Sequence, residues 1–305
     1  MRKKLTRREF LNISASLGIS LYAAAYFFAD KELIAEGAST IAGSSKLCLS
    51  KGTTYSEMTK SVINKMGGIK KFVSPGDVVV LKPNIAWNQK AGYGANTTPE
   101  IVGTIAKLCK DAGAKKVKIL EYPCVDPKVS FNRSGIMQVA RAVGADIHYL
   151  DERTLKKCKI GGNFVTEWPV FSEFIDNDTL INIPIAKHHC LSKLSIGMKN
   201  WLGAIGDDRG ELHEDLHTSI ADFATFFKPD LTIVDLTKVL IKNGPQGGSL
   251  EDVKTLNMIT GGLDPVATDA FAAKLLGYNP ADIGFIKKAQ EYGIGTMNYK
   301  KLLDS

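Results

Sequence analysis

Apolar, β-branched runs alternate with stretches of helical spacing along most of this chain, and that order commits it to an α/β fold. Residues 77–84 read DVVVLKPN, a buried strand stopped at Pro83. Thr98 and Pro99 open a helix, as N-cap and first-turn residue, and Ala112-Gly113 closes it. Residues 117–120 are the next strand, followed by a helix over 134–143 and a strand over 145–150. Residues 179–185 and 231–236 read as further strands. Helices are predicted over 55–70, 212–227 and 264–276, the last capped by Asp264 with Pro265 behind it. Strands separated by whole helices predict a mainly parallel sheet with helices on both faces. Residues 151–178 are less regular and read as an insertion or an antiparallel edge.

The N-terminus carries a second, separate signal. Leu5-Thr6-Arg7-Arg8-Glu9-Phe10-Leu11 has the paired arginines and following Phe-Leu of a twin-arginine export leader. Behind it, Leu11 to Ala29 is uncharged over 19 residues, enough to span a bilayer as a helix. The basic residues ahead of it would stay on the cytoplasmic side. Ala35-Glu36-Gly37 before Ala38 has the small residues of a cleavage site, so a cut signal and a retained anchor both remain open. A basic amphipathic helix packed on the domain is the plainer alternative. Residues 1–38 are thus read as leader or anchor and 39–305 as one α/β domain, placed in the periplasm or on the outer face of the cytoplasmic membrane. The partner implied is the twin-arginine machinery, with membrane contact through residues 11–29 if the leader stays. That route carries folded proteins, often with a bound metal or cofactor.

Composition narrows the function. The net charge is +7, but the lysines are interspersed with acids and form no basic stripe with aromatics between, so nucleic-acid binding is not expected. Cys48, Cys109, Cys124, Cys158 and Cys190 include no C-x-x-C pair, so no iron–sulfur cluster is expected.

Ligands of such sheets sit outside the carboxyl ends of the strands, so the polar residues that follow each strand are the candidates. Lys82 and Asn84 flank Pro83 at one strand end, and Lys187, His188 and His189 follow another. Neighbours on extended chain point apart, so one histidine of the pair faces the site. Lys199 and Asn200 form a further Lys/Asn pair beside Trp201. Gly244 and Gly247 lie in a Gly-rich turn that is either a ligand cradle or a plain loop, without the phosphate-loop pattern. Asp269 stands five residues past Asp264 among Ala and Phe, where a carboxylate needs a partner; a cleft lysine is the natural one. His213-Glu214-Asp215-Leu216-His217 matches H-E-x-x-H, which on one helix turns both imidazoles toward a zinc ion, with Glu214 to activate water. No third ligand pattern follows it, and His189 is the remaining candidate for a divalent metal.

In order along the chain, LKPNIAW, NIPIAKHH, MKNWLGAIGD, DLTIVDL, NGPQGG and DPVATDAFAAKLLG resemble the family called domain of unknown function 362, over residues 77–278. The resemblance implies an α/β fold and no settled reaction. Some members carry a ferredoxin-like module, which this chain's cysteine spacing does not support. Three readings follow. The first is an enzyme or cofactor protein with an anionic small molecule in a cleft lined by Lys82, Asn84, Lys187, His189, Lys199 and Asn200, with Asp269 as counter-charge. The second is a zinc hydrolase on His213, Glu214 and His217. The third is a non-catalytic binding protein.

Overall fold

The computed structural model describes residues 46–304. The leader, the candidate span 11–29 and the cleavage site before Ala38 lie outside them. Among the described residues no helix is long and apolar enough to cross a membrane.

The strands are β1 Leu47–Lys51, β2 Val78–Pro83, β3 Lys116–Ile119, β4 Asp146–Ile147, β5 Leu155–Lys159, β6 Glu167–Phe171, β7 Thr179–Ile183, β8 Lys187–His189, β9 Lys193–Ser195, β10 Leu231–Leu240, β11 Val253–Gly262 and β12 Leu303–Asp304. The helices are α1 Tyr55–Lys65, α2 Pro99–Asp111, α3 Pro127–Ser134, α4 Ile136–Val143, α5 Leu216–Phe226, α6 Pro265–Leu275 and α7 Gly284–Glu291. Eight strands form one sheet in the order β12-β1-β11-β10-β7-β2-β3-β4. It is parallel from β10 through β7, β2 and β3 to β4, and again at β1–β12. It is antiparallel where β11 joins β10 and β1. The fold is therefore α/β with a mixed, mostly parallel sheet.

Alternate residues of the central strands explain the layers. Val79, Leu81, Ile181 and Ile183 pack with α1, α2 and α4 side chains such as Val62, Ile105 and Ala140. Val80 and Leu180 face the other way, toward Phe171, Trp201, Phe223 and Phe227. Val234 and Leu236 meet α5, α6 and α7 on that second face through Ile220, Ala270 and Ile286. Period-two side-chain direction buries both faces at once, which is why these strands read as unbroken apolar runs.

Several elements differ from the sequence reading. The helix expected over 134–143 starts at Ile136, after Gly135 (φ 87°), and a separate helix, α3, precedes it, capped by Asp126 through Val129 N. The helix expected over 55–70 stops at Lys65, because Gly67 and Gly68 take positive φ. The strand expected over 145–150 shrinks to two residues. Residues 151–178 hold the β5–β6 hairpin, a sheet of its own.

That hairpin is tied down by one carboxylate. Asp222 of α5 is fully buried and accepts from Asn163 N, Phe164 N and Val165 N at 2.8–3.0 Å. Asp222→Ala takes the acceptor from three backbone donors, the Val165 N–H buried and the other two part-buried, and is expected to destabilise by roughly 1–3 kcal/mol in urea titration. Hydrogen-exchange protection should fall first at residues 160–166; loss spread evenly over the sheet would contradict this role.

Candidate functional site

The site is built on the carboxyl ends of β2, β3 and β7, roofed by a 3-10 turn, Lys199–Gly203. Lys82, next to last in β2, is fully buried, and burial pulls its pKa below the usual lysine value while Glu121 opposes that pull. Its Nζ donates to Glu121 Oε2 (2.9 Å), Pro83 O (2.9 Å) and Asn200 Oδ1 (3.3 Å). Glu121, just past β3, spends its other capacity on backbone: Oε2 accepts from Ile85 N and Oε1 from Tyr122 N. The turn lies against this pair only because residue 203 is glycine; a Cβ there would stand 1.7 Å from Glu121 Oε1.

Asn200 is the hub. Its Nδ2 donates to Lys82 O (3.0 Å) and Asn182 Oδ1 (2.8 Å), and its Oδ1 also accepts from Asn84 Nδ2 (3.1 Å). Asn84 Oδ1 in turn accepts from Lys187 Nζ at 3.0 Å, and Ala95 O accepts from the same ammonium. Residues far apart in sequence thus form one buried chain, Glu121–Lys82–Asn200–Asn84–Lys187. Lys187 has only neutral acceptors, and burial together with the charge of Lys199 lowers its pKa to about 7.

Lys199 is half-buried and, among the described residues, has no hydrogen-bond acceptor and no carboxylate partner. Desolvation, with Arg209 adding, lowers its pKa to about 8. His189 Nδ1 accepts from Leu191 N (3.2 Å) and Ser192 N (3.3 Å), so the ring proton sits on Nε2. Burial, Lys199, Lys187 and His213 hold its pKa down at about 3, and the ring is neutral at ordinary pH. The cluster has a buried floor and an open rim where Cys124, Cys190 and His213 are exposed.

Two expectations need correction. Asp269 is fully buried but has no lysine partner; it accepts from Gly197 N (2.9 Å) and Met198 N (3.0 Å). Burial lifts its pKa to about 7, and its work is to hold the loop that delivers Lys199 and Asn200. The H-E-x-x-H segment is not one helix. His213 ends a 3-10 turn, Asp215 caps α5 through Thr218 N, and His217 stacks on Phe285 under α7 at 6.2 Å. His213 stands by the cluster and His217 does not, and no group of three or more potential metal-ligating side chains forms among the described residues. Gly244 and Gly247 are glycines for packing within the protein: a Cβ on the first would strike His188 O at 2.0 Å, and the second packs on Leu240.

Two residues escaped the sequence reading. Glu121 follows β3 directly, where the strand-end rule directs attention. Arg209 carried no pattern; its guanidinium donates to Tyr122 O, Leu202 O and Pro123 O and lies 4.9 Å over the Tyr122 ring. A concavity of about 470 Å³ lies elsewhere, against β4, lined by Lys116, Lys118, Arg141 and His148 among others. There Lys116 pairs with Asp146 and His148 with Glu173.

The DUF362 family pattern matches residues 79–274, a span holding every member of this cluster. The chain belongs to the DUF362 family, a domain of unknown function. A DUF362 relative, the thylakoid-associated protein sll1697 of Synechocystis sp., is 26% identical over 253 residues, covering 77% of this chain and 74% of that one. Among solved structures, a protein from Thermotoga maritima aligns with TM-score 0.45 and 13% identity, over 79% of this chain and 60% of its own. The lactate racemase apoprotein from Thermoanaerobacterium thermosaccharolyticum aligns with TM-score 0.43 and 12% identity, over 72% and 54%.

Removing one partner of the buried pair should be severe. Glu121→Ala leaves Lys82 buried without counter-charge and is expected to cost about 3–5 kcal/mol. The double variant Lys82→Met/Glu121→Leu should recover most of that in urea titration; equal losses in both would show that the charges do not matter.

Proposed function

We propose that this DUF362 protein binds a small carboxylate or phosphate at the strand-end cluster and acts on it as an enzyme. One observation carries the reading: Lys187, Lys199 and neutral His189 lie close to one another with Arg209 beside Lys199, and the one carboxylate of the hydrogen-bonded chain, Glu121, is already bonded to Lys82. A buried cation without counter-charge is unfavourable, and an arriving anion supplies it. A purely structural cluster would be expected to pair these charges internally. A carrier would use the same anion contacts without turnover, and assay of product formation separates the two.

The sign of the pH dependence follows from the lysines. Lys199 and Lys187 gain protons as pH falls through about 8 and about 7, so anion affinity rises on acidification over that window. Calorimetric titration with oxalate should show Kd falling roughly tenfold from above to below this window, with the slope largely lost in Lys187→Met. A flat profile in the unsubstituted protein would refute the cation-cluster reading.

The export reading is part of the same proposal. The leader motif Arg7-Arg8 supports delivery of the folded domain across the cytoplasmic membrane. Arg7→Lys/Arg8→Lys should leave the full-length chain in the cytoplasmic fraction; unchanged export of that variant would rule the route out.

A further inference from the structure

We propose that Lys199 is the covalent nucleophile of this site, condensing with the carbonyl carbon of a small 2-oxo acid to form an imine. This rests on the anion-binding reading and deepens it by naming the reacting atom and the substrate class.

Three lysines meet at the strand ends, and geometry singles out one. Lys82 is spent on Glu121, Pro83 O and Asn200. Lys187 is 1% exposed and its Nζ is bonded to Asn84 Oδ1 and Ala95 O. Lys199 alone of the three is half-buried with its amine free of acceptors among the described residues. It sits in a rigid place, one residue before the fully engaged Asn200 and one after Met198, whose backbone N–H is fixed by Asp269. An amine held in an apolar setting beside other cations keeps its lone pair near neutral pH, which is how lysines become nucleophiles. Lys199 meets that condition, with its pKa lowered to about 8.

The neighbours fit the rest of the substrate. Arg209 supplies positive charge for the carboxylate, and Lys187 adds to it as pH falls through about 7. His189, held as a neutral ring with its proton on Nε2, offers a donor to the carbonyl oxygen without being an acid at this pH. In the step itself the Lys199 lone pair attacks the carbonyl carbon, the C=O π pair moves to oxygen, and one of the two amine protons passes to that oxygen. The carbinolamine hydroxyl then leaves with the second nitrogen proton as water, while the nitrogen lone pair forms the C=N bond. One C=O is exchanged for one C=N with release of water, and nothing is oxidised or reduced.

The test is reductive trapping on the full chain with pyruvate and cyanoborohydride, followed by peptide mass mapping, with oxalate-induced thermal stabilisation measured on the same preparation. At about pH 8, one adduct is expected on Lys199, forming roughly tenfold or more faster than on exposed Lys70, slowed by oxalate and absent in Lys199→Arg. Labelling of Lys199 no faster than Lys70, or labelling of Lys187 instead, overturns the proposal. Oxalate stabilisation without any adduct leaves anion binding standing and removes the imine. An adduct on Lys199 without oxalate stabilisation keeps the nucleophile and removes the anion site. If Lys199→Arg fails to fold, the site-mapped adduct on the unsubstituted chain decides alone.

Discussion

A buried ammonium–carboxylate pair, Lys82 with Glu121 at 2.9 Å, sets the terms for the rest of this molecule's functional end. Two charges removed from water are tolerated only when every remaining donor and acceptor is met. The chain meets that demand with backbone from three directions: Pro83 O, Ile85 N and Tyr122 N. The same demand draws in Asn200, and through it Asn84, Asn182 and Lys187. What reads as an ion pair in the core is therefore the fixed point from which the 3-10 turn, the β2 exit and the β8 entry take their positions. Gly203 and Gly197 are small where the fit is tightest, against Glu121 and Asp269.

This arrangement separates support from chemistry. Lys82, Glu121, Asn182, Asn200 and Asp269 are enclosed and fully engaged, so they hold geometry. Lys199, His189 and Arg209 lie nearer the rim with capacity left over. In the anion-binding function proposed above, pre-organisation of that kind places charges before a ligand arrives, so binding would need little rearrangement. The neutral state of His189 belongs to the same design, because two backbone amides choose its tautomer, and burial above all, with its cationic neighbours adding, disfavours a second proton.

The parallel half of the sheet was legible in the sequence because its strands are buried on both faces and uniformly apolar. β1 and β11 were not. β11 runs from half-buried to buried along its length, and Lys254, Thr255 and Asn257 break the apolar pattern at its open end. Lys82, Asn84, Lys187, Lys199 and Asn200 were legible from position alone, each directly after a strand or in a Lys/Asn pair. Their mutual bonds were not, since these depend on contacts across more than a hundred residues, such as Lys82 to Asn200. Asp269 shows the limit of charge reasoning: a buried carboxylate does need partners, but two peptide N–H groups answered where a lysine was expected. The H-E-x-x-H pattern failed for a local reason, since Asp215 is a strong N-cap and started the helix inside the motif.

The unequal lengths of neighbouring strands have a directional consequence. β7 ends at Ile183, opposite the early part of β10, whereas β10 and β11 run on together to Leu240 and Val253. That overhang continues past the rim, and β8 leans on it through Ala186 N to Asp235 O and the Gly244 N to His188 Nδ1 bond. On the proposed anion-binding reading, the exposed side chains beside the cluster, Cys124, Cys190 and His213, are the ones a bulky ligand substituent would meet, so exchanging them alters which sizes of ligand fit.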